Sequence, residues 1–160
     1  MPDTEVLLSL GGNMGDVPST MDAAIARLGE RCGRVICVSR SHITDPVGFL
    51  DDRPFLNKAV LLRTALPALE LLKVCLDVER ELGRDRSEVR ERPGPRPIDI
   101  DLLLYGTAVA KGPDLELPHP RMTQRYFALA PAADVAPGMV HPSTGLTILE
   151  LLGRLPHPLP

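Results

Sequence analysis

Apolar and polar positions along the chain follow two periods, one short and one helical. Glu5-Val6-Leu7-Leu8-Ser9-Leu10 is an apolar run that stops at Gly11-Gly12, the pattern of a buried strand. Asp16 stands where a helix cap is expected, ahead of a helix from about Val17 to Arg31. That helix sets Met21, Ala24, Ile25 and Leu28 on one face, with Gly33 beyond its end. Val35 to Thr44 is rich in β-branched residues and predicts a second strand; after the turn-rich stretch Thr44 to Pro54, Phe55 to Thr64 predicts a third. Thr64 and Pro67 open a second helix carrying Leu69, Leu72, Leu76 and Leu82 and ending near Gly83. Arg84 to Pro95 has no periodicity and reads as a mobile loop. Ile98 to Tyr105 is the strongest strand signal in the chain. Leu117-Pro118-His119-Pro120 is extended, and Thr147 with Glu150 forms a capping box for a last short helix.

Strand-helix-strand-strand-helix-strand is the split βαβ plan. The expected fold is therefore α+β, a ferredoxin-like βαββαβ core with long loops and a short C-terminal extension. The 160 residues show no repeat or linker, so one domain over 1–160 is expected. With 18 basic and 21 acidic residues, the formal charge of −3 argues against polybasic binding of nucleic acid. No run reaches the ~18–20 apolar residues of a membrane span, and Met1-Pro2-Asp3-Thr4-Glu5 lacks a secretory signature. Cys32, Cys37 and Cys75 have no paired spacing, which suggests reduced thiols and a cytoplasmic location. Seventeen prolines and thirteen glycines argue for several long loops rather than a helical bundle.

Asp99 and Asp101 are the sharpest local signal. Side chains two apart on a strand share a face, roughly 6.5–7 Å apart along the chain, with Ile98, Ile100, Leu102 and Leu104 toward the core. Like charges that close need a counter-charge, and a divalent cation supplies it economically; hard oxygen ligands favour Mg²⁺ over zinc. The plain alternative is a solvent-facing polar edge, or carboxylates paired to arginines. Six of the fifteen arginines fall between Arg80 and Arg96 and lead through Gly94-Pro95-Arg96-Pro97 into the aspartate strand. Guanidinium groups fit phosphate oxygens in a two-pronged geometry, so acids and arginines together suit a polyphosphate with metal. Glu81, Asp85, Glu88 and Glu91 neutralise only part of that arginine surplus. No Gly-Lys dipeptide occurs, hence no P-loop, and Gly11-Gly12-Asn13-Met14-Gly15-Asp16 is weak alone because strand-to-helix turns need glycine anyway. Glu79 falls at the end of the second helix's apolar stripe, either frayed into solvent, the commoner case, or facing a site. Phe55 and Phe127 read first as core, and His119 as a ligand or a loop histidine.

These segments occur in the order of a known family. Gly11 to Asp16, Thr44 to Gly48, Phe55-Leu56-Asn57, Glu79 with Leu82 to Arg86, Gly94 to Asp101, and Leu117 to Arg121 through Phe127 resemble the 6-hydroxymethyl-7,8-dihydropterin pyrophosphokinase family of folate biosynthesis. The resemblance runs from about Val6 to Pro142. It implies pyrophosphate transfer from ATP to the pterin's hydroxymethyl group, giving the pterin diphosphate and AMP. By the same resemblance Asp99 and Asp101 hold two Mg²⁺ ions, and Arg84 and Arg96 neutralise the triphosphate. Arg86 and Arg92 join as their loop closes, while Glu79, Ile100, His119 and Arg125 fall on the nucleotide side. Phe55 and Phe127 would sandwich the pterin, with Asn57 and the chain at Thr44, Asp45 and Pro46 reading its polar edge. Gly12 stands where the family usually has serine, Phe55 where tyrosine is frequent, and Pro93 where some members carry tryptophan. The implied partners are these two small molecules, with no nucleic acid, membrane or obligate protein partner.

The competing class is a ferredoxin-like module that binds RNA or a small ligand without catalysis, since that fold hosts many functions. A sheet-face RNA binder needs exposed aromatics on its central strands, where this chain offers aspartates.

Overall fold

The computed structural model describes residues 3–44, 54–83 and 97–156. Two long strands form its spine. β1 (Thr4–Gly12) pairs antiparallel with β4 (Phe55–Thr64), from Thr4 opposite Thr64 to Gly12 opposite Leu56. β5 (Asp99–Tyr105) flanks β1 and β2 (Gly33–Val38) flanks β4, giving the order β2-β4-β1-β5 with every neighbour antiparallel. α1 (Val17–Arg31) links β1 to β2, and α2 (Ala68–Glu81) links β4 to β5. This is the βαββαβ order of the ferredoxin-like plan. No disulfide joins Cys32, Cys37 and Cys75, and no helix among the described residues is long and apolar enough to cross a membrane.

Strand alternation divides the interior in two. Val6, Leu8 and Leu10, with Val60, Leu62, Ile98, Ile100 and Leu102, pack under Met21, Ala24 and Leu28 of α1 and Leu71, Cys75 and Val78 of α2. Leu7, Ala59, Leu61, Leu103 and Leu104 face the opposite way, against α3 (Tyr126–Val135) and α4 (Ile148–Gly153). Leu104 departs from the alternation expected of it. The β1–β5 register slips between Leu7 and Leu8, so that Leu7 faces Leu104 while Leu8 faces Leu102. An extra residue in one strand reverses the parity beyond it, and Leu104 turns to the α3 side while Tyr105 packs with the α1–α2 core.

Local chemistry explains most boundaries. Asp16 caps α1 by accepting from the Ser19 N–H at 3.2 Å. Gly33 then opens β2 at φ +150°, where a Cβ would lie 2.2 Å from the Arg63 carbonyl oxygen, so only glycine fits. The single strand expected over Val35 to Thr44 is two, β2 and β3 (His42–Thr44), both on β4. At the break the Ser39 Oγ accepts from Ala59 N–H at 2.8 Å, while Ser39 N–H donates to the Ala59 carbonyl at 2.9 Å. A hydroxyl thus takes the ladder position of a carbonyl, and the chain swings outward at Arg40. On α2 the buried face is Leu71, Cys75, Val78 and Glu79; Leu69, expected inside, is 48% exposed. Leucines on both sides of that helix blurred the stripe, and a buried glutamate within it disguised it further.

Leu117, expected to be extended, ends β7 (Glu116–Leu117); its hairpin partner β6 (Ala110–Lys111), a 3-10 turn at Met122–Gln124, and α3 had no expectation. α3 is buried on most sides, from Ala128 to Ala132 without interruption, and carries Pro131 inside it. A helix covered by both a sheet and another helix shows no amphipathic stripe. The capping box of α4 forms as expected, with Glu150 N–H donating to Thr147 Oγ1 and Thr147 N–H to Glu150 Oε1, both at 3.1 Å.

The turn between α3 and α4 holds His141, 5% exposed, whose Nδ1 accepts from the Thr144 N–H at 3.1 Å. Burial holds its imidazole below the usual pKa of 6.5. The unfolded chain therefore takes up this proton more readily than the folded one, and folding weakens as pH falls below about 6.5. Thermal unfolding measured from pH 7.5 to 5.5 is expected to show a falling midpoint, and His141→Gln is expected to flatten that slope.

Candidate active site

α3 and α4 seal the part of the sheet built from Leu7, Ala59, Leu61, Leu103 and Leu104. Beyond these leucines the same face turns polar, and strand register sets its side chains in rows. Asp101 lies opposite Ser9, which lies opposite Ala59. Asp99 lies opposite Gly11, which faces Asn57, which in turn faces His42. Phe55 pairs with Thr44 one row further on. Period-two alternation puts Asp99, Asp101, Ser9, Gly11, Phe55, Asn57, His42 and Thr44 on one face. Gly11 is the low point of this floor; a Cβ there would sit 3.3 Å from the Asn57 Oδ1. Asn57 is 3% exposed, and its Nδ2 donates to the Thr44 hydroxyl at 2.8 Å and the His42 carbonyl at 3.2 Å.

The aspartates are half-buried and stand on an edge strand. Alternate N–H groups of such a strand point away from the sheet. That of Ile100, between the two acids, donates to Glu79 Oε2 at 2.5 Å. Glu79 is wholly buried, so of the two readings open for it, fraying into solvent is excluded. It grips β5 from the α2 side at the residue whose neighbours carry the two acids.

His119 follows the cis Leu117–Pro118 bond and is tied to β5 by its N–H, which donates to the Leu103 carbonyl at 2.9 Å. The Arg121 N–H donates to His119 Nδ1 at 3.2 Å. Burial, and then the positive charge of Arg125, lowers the imidazole's pKa, while Asp99 opposes them. In the neutral ring an accepting Nδ1 leaves the proton on Nε2, a donor suited to a phosphate oxygen. His119 therefore senses both an aspartate of β5 and Arg125. The Arg125 guanidinium carbon lies 5.4 Å from the Phe127 ring centroid, which sets a nucleotide-side candidate against a pterin-side one.

Six expected residues, Asp45, Pro46, Arg84, Arg86, Arg92 and Arg96, lie outside the described residues, as does the loop expected to be mobile. The remaining ten are described: Thr44, Phe55, Asn57, Asp99 and Asp101 on the sheet face, Ile100 and Glu79 behind it, and His119, Arg125 and Phe127 on the segment after β7. Ser9, Gly11 and Arg121 belong to the same neighbourhood; Gly11 and Arg121 lie in motifs of the resemblance without being singled out there, and Ser9 carries no sequence signal beyond its type. Among the described residues no three His, Cys, Asp or Glu side chains converge as a metal site.

Comparison with known proteins bears on the family to which the chain belongs. Residues 7–137 match the family model for 7,8-dihydro-6-hydroxymethylpterin-pyrophosphokinase (HPPK). A Porphyromonas gingivalis protein described as 2-amino-4-hydroxy-6-hydroxymethyldihydropteridine pyrophosphokinase is 45% identical over 138 residues, 86% of this chain and 93% of that one. A Methylorubrum extorquens protein of the same description is 42% identical over 154 residues, covering 95% and 94% of the two chains. The crystal structure of an HPPK-DHPS in complex with substrates superposes with a TM-score of 0.75 at 14% identity, over 96% of this chain. This chain spans only 43% of that longer one, and at such identity the likeness speaks for the fold alone. Family match, close relatives and shared fold together establish that the chain belongs to the HPPK family and is a pyrophosphokinase of folate biosynthesis.

Proposed function

We propose that the chain, acting as one domain over 1–160, transfers pyrophosphate from ATP to the hydroxymethyl group of 6-hydroxymethyl-7,8-dihydropterin. The substrate's hydroxyl oxygen bonds to the β-phosphorus, the bond from that phosphorus to the α-phosphate oxygen breaks, AMP departs, and the hydroxyl proton is lost. The observation that carries this reading is the sharing of one sheet face by two carboxylates and an aromatic–amide row, with Gly11 as the floor between Asp99 and Asn57.

Two half-buried carboxylates on one face, with no third acidic, histidine or cysteine ligand converging among the described residues, suit Mg²⁺ rather than a closed protein cage. Magnesium is commonly held by one or two carboxylates, its other positions filled by phosphate oxygens and water. Asp99 and Asp101 would hold two such ions, which when bound with the nucleotide draw charge from the reacting phosphorus. Glu79, through Ile100 N–H, keeps β5 from twisting the two acids apart. His119 presents an Nε2–H donor, and Arg125 a guanidinium, to phosphate oxygens on the nucleotide side. Arg84, Arg96, Arg86 and Arg92 complete the neutralisation of the triphosphate.

Phe55 and Phe127 stack the flat pterin from two sides, gaining dispersion and apolar contact at both ring faces. Asn57, with the chain at Thr44, Asp45 and Pro46, reads the ring's polar edge; a buried edge of this kind rejects analogues that leave its donors and acceptors unmatched. Both substrates are small molecules, and a cytoplasmic location with no nucleic acid, membrane or obligate protein partner fits the composition.

Asp99→Ala and Asp101→Ala are each expected to cut AMP release by about a hundredfold or more, with far-UV circular dichroism unchanged. Undiminished AMP formation in either variant removes the two-metal assignment. Arg96→Ala is expected to lower kcat strongly while pterin Kd stays within about twofold. A weakened pterin affinity with an intact rate would put Arg96 on the pterin side instead.

A further inference from the structure

Asp134, on α3, collects donors from the break between β2 and β3. Its Oδ2 accepts from the Arg40 N–H at 3.3 Å, the Arg40 Nε at 3.3 Å and the His42 Nε2 at 2.8 Å, and its Oδ1 accepts from Arg40 Nη2 at 3.3 Å. His42 and Asp134 side chains are each 20% exposed, whereas Arg40 is 79% exposed. The imidazole contact is thus the shielded one, and the guanidinium contact is open to water and salt.

β3 is three residues long and, among the described residues, lies at the sheet edge and pairs with β4 alone. So short a strand does not hold its own place. Yet β3 supplies both near partners of the Asn57 amide nitrogen, the His42 carbonyl and the Thr44 hydroxyl. With its nitrogen turned to β3, Asn57 directs its oxygen over Gly11. The carboxylate that anchors His42 by its ring therefore anchors the carbonyl of the same residue, and through it the amide. Asp134 also lies seven residues past Phe127, on the same side of α3 and about 10.5 Å further along the axis. One rigid helix thereby sets an aromatic wall and the strand that orients the amide at a fixed separation.

We propose that Asp134 is a positioning residue for the pterin subsite, acting through His42 and β3 on the orientation of Asn57. The proposal rests on the reading of Asn57 as a pterin-edge contact.

The test is titration calorimetry of 6-hydroxymethylpterin into the full chain with Mg²⁺ and a non-hydrolysable ATP analogue, alongside steady-state kinetics. Asp134→Ala is expected to raise pterin Kd about tenfold, the scale of one lost charge-assisted hydrogen bond. The KM for ATP and kcat are expected to stay within about twofold. His42→Ala, which keeps the carbonyl and removes the ring, is expected to match it and carries the test should Asp134→Ala fail to fold. Asp134→Asn, which keeps an accepting oxygen, is expected to recover most of the affinity, and Arg40→Ala to change it little. In an Asn57→Ala background the effect of Asp134→Ala is expected to vanish, because coupled residues do not add. Wild-type affinity in Asp134→Ala and His42→Ala, or full additivity with Asn57→Ala, overturns the proposal while leaving the pterin-edge reading standing. Wild-type affinity in Asn57→Ala alone sinks that reading and this proposal with it.

Discussion

A strand at the edge of a sheet that carries two carboxylates on one face is under two stresses at once. Its outer N–H groups need acceptors, and its acids repel each other. In this protein the first is met by the wholly buried Glu79, whose carboxylate takes the Ile100 N–H. Burial of a carboxylate is costly unless hydrogen bonds replace its water, so this contact is as important to Glu79 as to the strand. The result is a strand tied between its two acids, with Asp99 and Asp101 on one face by alternation. The candidate site gathers on that strand: His119 hangs from it through Leu103, and the floor beside the acids is β1 stripped to Ser9 and Gly11.

Much of this frame is legible in the chain itself. β1, α1, β4, β5 and the capping box of α4 follow from apolar period, glycine punctuation and cap chemistry, and their order predicts the sheet. The failures share a cause. Where burial is two-sided, periodicity vanishes, and α3 was invisible for that reason. Where a side chain takes over a backbone role, as Ser39 does on β4, the strand pattern runs on through a real break. Where a polar residue lies inside an apolar stripe, as Glu79 does, the stripe is read a few residues off.

The site divides along the same line. Asp99 and Asp101 announce themselves because two acids in an otherwise apolar strand have few structural uses. Phe55, Asn57 and Thr44 do not; their common face depends on which residue of β4 meets which of β1 and β3, a matter of register that no local pattern encodes. Asp134 and His42 are 92 residues apart in sequence and meet only because α3 packs across β3 and β4. Resemblance locates Phe55, Asn57 and Thr44 by motif, whereas the Asp134–His42 pair emerges only from the packed chain.

The slip in β5 has a further meaning for how this strand can vary. Upstream of it the acids and leucines keep one phase, and downstream the phase is inverted, so a single segment serves the polar floor and two separate apolar interiors. Substitutions can be absorbed one at a time within each half. Loss or gain of one residue near Leu103 cannot, for it would swap the side of the sheet on which every side chain of one half emerges. Length in this segment therefore constrains the fold more tightly than the identity of any one leucine does.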